Sequence, residues 1–210
     1  MPNPAYSGTA YFSRIPPDNI RTHFPEEPNI QEMTLNSIRK YQSLIARVDK
    51  TCRAIQANYA DQIACRKGCA GNCCRIHLSI FPIEAVSLAR ALKKLPRAMA
   101  QHIRVNARKT KSFDPCPLLE DGACLMYASR LVICRTHGLP MRSEYRGHQS
   151  IGFCQKNFKG LKSIPDDAVI DLNGLNAELA AVNREFTGTH SGRVGLRVRF
   201  YIAEALLLDF

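Results

Sequence analysis

The stretch from Cys65 to Cys74 reads CRKGCAGNCC, four cysteines in ten residues. Four more follow at Cys116, Cys124, Cys134 and Cys154, and only Cys52 stands outside the two groups. A set this dense dictates how the flanking segments fold, because its thiols must be bridged, metallated or kept for redox chemistry. The N-terminus, MPNPAYSGTAYFSRIPPDN, lacks the basic stretch and apolar core of a signal peptide. No apolar run approaches the roughly 20 residues that span a bilayer, so no membrane span is expected. The expected location is cytoplasmic and reducing, where clustered cysteines favour metal or redox chemistry over a disulfide framework. The odd count of nine cysteines points the same way.

Thiolates are soft ligands, suited to zinc and to iron–sulfur clusters. Cys65 and Cys69 are four apart, as are Cys69 and Cys73, a spacing at which a turn or helical end aims two sulfurs at one ion. Cys73 and Cys74 are adjacent, so their Cβ atoms point in different directions and one of them serves another site or packs. Residues 65–74 are therefore read as half of a site, completed by Cys116, Cys124, Cys134 or Cys154. Eight sulfurs suffice for two four-ligand sites, or for one site with cysteines in reserve. His77 and His137 are candidate nitrogen ligands for zinc, although a lone histidine is more often a structural hydrogen-bonding residue. Arg75, Arg130 and Arg135 sit beside cysteines, where a guanidinium can donate to thiolates and offset their charge; a surface ion pair is the plainer role. Tyr127 is either a donor to sulfur or part of the core.

The rest of the chain reads as mainly α, with helices packed around this loop-rich, cysteine-ligated region. Residues 1–28 form a proline-rich arm, 29–160 a helical metal-binding domain, and 161–210 a mostly helical segment packing on the same domain. Asn29 fits a helix N-cap with Glu32 as the return half of a capping box. From there Ile38, Tyr41, Ile45, Val48, Cys52, Ile55, Tyr59 and Ile63 recur at spacings of three and four, one stripe along a helix over 30–64. At about 1.5 Å per residue it spans about 50 Å. Its partner is either the later helices or a second chain, which leaves a homodimer through this helix open. Cys52 lies on the stripe, where a buried thiol behaves as a small hydrophobe, and is not expected to ligate metal. The helix is expected to end near Lys67–Gly68.

After the first cysteine group, 76–81 alternates like a short strand, and Pro82 with Glu84 opens a new helix. Ile83, Val86, Ala89, Leu92 and Leu95 mark its buried face. Pro96 ends or kinks it, and a second piece, 97–109, carries Arg97, Arg104, Arg108 and Lys109, with Lys111 just beyond. Residues 114–155 are dense in turn signals, Asp121–Gly122 among them, so order there is expected from metal more than from a core. Residues 160–175 read as loop and 176–186 as helix. Residues 194–200 alternate like a strand, while 201–210 suits a helix.

CRKGCAGNCC followed by CPLLEDGACLMYASRLVICR resembles the YkgJ-type cysteine-cluster proteins, a family named for a CxxCxxCC-like motif and regarded as zinc- or iron-chelating. The resemblance covers about residues 60–160. Cys116-Pro117-Leu118, Gly122, Cys124, Tyr127, Arg130 and Cys134-Arg135 match its pattern in order. The Cys69-x3-Cys73 spacing is one residue longer than the motif, and Leu131 stands where a proline is usual. The resemblance implies a chelating domain; related clusters in flagellin lysine methylases carry an iron–sulfur centre.

Three functions are thus expected. The first is a metal-binding protein with a Cys-ligated zinc or iron–sulfur centre, structural or redox in role. The second is an enzyme related to the cluster-bearing methylases. Its catalytic residues are unknown, since the chain has no GxGxxG, HExxH or phosphate loop and Cys134 with His137 is a weak pair. The third is a zinc-stabilised basic module binding nucleic acid, resting on a formal net charge of +11. Eight thiolates holding two zinc ions would lower that charge to about +7.

Overall fold

The computed structural model describes residues 30–64, 72–75, 78–111, 114–188 and 199–209. The proline-rich arm, the Asn29 cap, Cys65, Cys69, His77 and the alternation over 194–198 lie outside them, as does the side chain of Cys73. The helices described are α1 (Ile30–Asn58), α2 (Pro82–Lys93), α3 (Arg97–Lys109), α4 (Val132–Thr136), α5 (Leu172–Gly188) and α6 (Ile202–Leu206). The strands are short: β1 (Ser79–Ile80), β2 (Leu119–Glu120), β3 (Ala123–Cys124), β4 (Met141–Tyr145), β5 (His148–Gly152), β6 (Ile170–Asp171) and β7 (Phe200–Tyr201). The fold is mainly α, as expected, and none of the described helices is long and apolar enough to cross a membrane.

The apolar stripe makes α1. Ile38, Tyr41, Val48, Cys52 and Ile55 are buried, together with Leu44, which completes the same face. They pack with residues of α2, α4 and α5 in one cluster. The stripe is therefore covered within the chain, which removes the ground on which it suggested a homodimer. The helix also closes sooner than 64. Tyr59 leaves helical geometry, at φ −122° and ψ 36°, and one 3-10 turn follows over Ala60–Gln62. Tertiary contacts take over there: the Phe158 N–H reaches the Gln62 carbonyl at 2.6 Å, and the Tyr59 ring lies 5.6 Å from that of Phe158.

Helix α2 starts at Pro82, whose missing N–H costs nothing at a helix start. The Glu84 carboxylate accepts from the Phe81 N–H at 3.1 Å and the Asn183 side chain from the Ile83 N–H at 3.2 Å, which satisfies orphan donors of the first turn. The helix is buried on two sides. Ile83 and Val86 join the α1–α5 cluster, whereas Ala85, Leu88 and Leu92 join a second one with α3, α6 and Phe200. Pro96 caps α3, so the expected break and the 97–109 helix are both present. β1 is two residues of the expected 76–81 strand and pairs antiparallel with β7. Of the expected 201–210 helix only 202–206 is helical.

Residues 160–175 are not a plain loop. They hold a 3-10 turn at Asp166–Ala168, strand β6 and the start of α5, which begins at Leu172 rather than Asn176. The Asp171 carboxylate accepts from the N–H groups of Asn173 and Gly174, both at 3.1 Å, and so caps the helix four residues early. β6 runs parallel to β4 in a sheet ordered β5–β4–β6.

Candidate metal centre

Between α3 and β4 the chain runs through elements of two to five residues. β2 and β3 form a hairpin turning on Asp121 and Gly122, at φ 49° and 75°. Asp-Gly suits this two-residue turn because both positions need positive φ. The hairpin ends at Cys124; a 3-10 turn over Tyr127–Ser129 leads to α4, which carries Cys134. Cys116, Cys124 and Cys134 are half-buried and pack against the second apolar cluster.

Cys74 approaches from the other cysteine group. The Cys116 N–H donates to its carbonyl at 2.8 Å, so the two groups meet backbone to backbone. Two of the thiols also lie in the electrostatic field of the others: Cys124 and Cys74 act on Cys116, and Cys116, Cys124 and Cys74 act on Cys134. Four thiols from four separate segments thus share one region of the fold.

Two effects oppose each other on these sulfurs. Burial pushes Cys116 and Cys134 up to about 12, and pushes Cys124 up as well. Backbone hydrogen bonds from Leu118, Met126 and Leu131 to Cys116, Cys124 and Cys134 pull the other way, because they favour the thiolate. Burial wins, and at neutral pH these thiols hold their protons unless a cation offsets the charge.

Two of the arginines bind the backbone around the cysteines. Arg130 lies over the Tyr127 ring, 3.7 Å from its centroid, and donates to the Tyr127 and Cys134 carbonyls at 3.1 and 3.3 Å. Its charge also pulls the Cys124 pKa down against burial. Arg135 is a clamp. Its side chain is only 7% exposed, holds both Asp49 oxygens at 2.6 Å, and donates to the Arg130 and Ala128 carbonyls. It ties the cysteine-bearing loop to α1. Arg75 is exposed and is not among the charges that shift Cys116, Cys124 or Cys134.

Cys154 is not among the groups that shift Cys116, Cys124 or Cys134, and it stands at the start of a turn whose other end receives the chain leaving α1. Its N–H reaches the Gly138 carbonyl at 3.2 Å. Asn157, fully buried, accepts from the Ala64 N–H at 2.9 Å and donates to the same Gly138 carbonyl at 2.5 Å. The residue just before Cys65 is thus docked beside Cys154. His137 is half-buried, and burial lowers its pKa. Cys52 is buried on α1 and pushed up to about 11 by burial; its thiol faces the Arg135 carbonyl at 3.6 Å. It packs as the stripe implied.

Three residues that shape the site were missed in the sequence. Asn157 and Asp49 had no signal, since a buried Asn or a helical Asp looks like any surface residue. Glu84 was read only as a helix-start acid. It also takes a backbone hydrogen bond from Val132 at the head of α4, so one carboxylate caps two helices. Its burial raises its pKa.

Cys52, Cys116, Cys124, Cys134 and Cys154 form no disulfide. The donor chemistry suits a soft ion, but among the described residues no three side chains of His, Cys, Asp or Glu are placed to hold one. The remaining thiols, Cys65, Cys69 and Cys73, belong to the part of the first group outside the description. No family model, curated protein or solved structure matches this chain.

Proposed function

We propose that the two cysteine groups together form a Cys-ligated metal centre, zinc or an iron–sulfur cluster, with a structural or redox role. The observation that carries this reading is the meeting of Cys74 and Cys116 at a backbone hydrogen bond, with the Cys124 and Cys134 thiols in the same electrostatic neighbourhood. Cys74, Cys116, Cys124 and Cys134 would hold the centre together with Cys65, Cys69 and Cys73 of the first group, and Cys154 is the remaining candidate. Bound metal would supply the positive charge that buried thiolates need. The YkgJ-type resemblance belongs to this same proposal, as does a reducing, cytoplasmic setting that keeps thiols free. The enzyme reading gains little: Cys134 and His137 share no hydrogen bond among the described contacts, and no third group orients the ring.

Anaerobically purified protein is expected to carry tightly bound metal that Cys116→Ser and Cys134→Ser remove. Iron with acid-labile sulfide and visible absorption selects the cluster; colourless protein with zinc selects chelation. Folded, metal-free protein with eight reactive thiols overturns the proposal. Because protons compete for thiols whose pKa burial raises, metal retention falls as pH falls.

A further inference from the structure

Eight cations, Arg90, Lys93, Lys94, Arg97, Arg104, Arg108, Lys109 and Lys111, fall between Ala85 and Phe113, a span with no Asp or Glu. The chain has 29 basic residues, so the other 21 are nearly balanced by its 18 acidic ones. The excess charge is therefore local to the end of α2 and to α3. Among the described residues only Lys93 of the eight is ion-paired, to Asp209 at 3.3 Å.

On α3, Arg97, Gln101, Arg104 and Arg108 follow one another at spacings of four, three and four, which places them in one stripe along the helix. Arg97 and Arg108 are exposed and Arg104 half-exposed. Ala100, Ile103 and Ala107 form a separate face, buried in the cluster with α2 and α6. Among the described residues, the one carboxylate bonded to α3, Glu120, meets His102 and Asn106 on another side of the helix. The stripe is about 16 Å long, the axial length of about five phosphates on one strand of a duplex.

We infer that this stripe, flanked by Lys93 and Lys94, is a docking surface for the phosphate backbone of nucleic acid. Guanidinium forks match phosphate oxygens, and a row of them tracks a polyanion. A membrane surface fits less well. An interfacial helix sinks its apolar face into lipid, whereas that of α3 is already spent on the protein core. The surface carries no cysteine, so the inference stands apart from the metal centre.

The test is fluorescence anisotropy with the full chain and a labelled 20-base-pair DNA duplex, the matching RNA duplex, and phosphatidylserine vesicles. Wild type is expected to bind nucleic acid at 50 mM salt, with whichever of DNA or RNA binds tighter naming the source. R97Q/R104Q/R108Q keeps good helix formers, lowers the log–log salt slope by about three, and weakens binding more than about tenfold. R39Q/K50Q/R53Q, an equal charge loss on exposed positions of α1, leaves both near wild type. Should the triple variant lose helicity by circular dichroism, R97Q/R108Q, at fully exposed positions, gives a slope lower by about two. Equal losses in the α3 and α1 variants, no binding at 50 mM salt, or binding to vesicles alone each overturns the inference.

Discussion

The two sides of α2 are held together by different means. On one side α1 and α5 bury large side chains deeply, with Leu44 and Phe186 each 1% exposed. On the other, the cysteine-bearing segment from Cys116 to Thr136 has no element longer than five residues and leaves its cysteines half-buried. Leu118, Met126 and Leu131 anchor it in the second apolar cluster, and single connections add to them: the Arg135–Asp49 clamp, the shared Glu84 cap and the Cys74–Cys116 hydrogen bond. The first side is a continuous surface, in which any one contact is a small part. The second combines a few buried anchors with removable staples, and the proposed metal would be the strongest staple.

Removing the proposed metal should sharpen this difference most visibly. Hydrogen exchange after chelation is expected to show protection lost across residues 116–136, while α1 and α5 stay protected. Structural zinc sites stabilise by about 10–16 kcal/mol in isolated peptides, so the local effect exceeds that of any core truncation. Uniform loss across both sides would mean that the halves are one cooperative unit. Phe186→Ala tests the other side. It is expected to cost about 3–5 kcal/mol in denaturant unfolding, with bound metal per folded molecule unchanged. The smallest effect is expected from Arg135→Lys, which keeps the charge but loses the fork. A loss of about 1–3 kcal/mol, with faster metal release than wild type, would show the clamp acting on the centre. An unchanged release rate would separate the two.

Regular patterns were legible in the sequence, and single long-range contacts were not. The α1 stripe needed only a period, and Pro82 and Pro96 marked real boundaries because proline acts locally. Two hairpins show where the reading stops. Asp121–Gly122 announces its turn, whereas the β4–β5 hairpin turns on Arg146 and Gly147, at φ 51° and 78°. Arginine has no preference for that conformation, so the 141–152 hairpin passed as turn-rich coil. The early start of α5 was a missed Asp171 cap, since Asp-Leu-Asn-Gly reads equally well as a loop. In the site, cysteine spacing led to the expectation that residues 65–74 are half of a site. It said nothing of Asn157 or Asp49, whose roles exist only once distant segments meet.

Ala64 and Cys74 are both fastened to the body, one through Asn157 and the other through Cys116, so the nine residues between them form a connecting arc with two fixed ends. For ligands on a tether the governing quantity is effective concentration, which reaches the millimolar range for short links. In the proposed centre, Cys65, Cys69 and Cys73 would gain from that proximity to the other thiols. Ring closure costs only about 0.6 kcal/mol more for each doubling of length. The arc can therefore grow or shrink by a residue at little expense. Loss of either fastening would lengthen the link between fixed points and so lower the effective concentration.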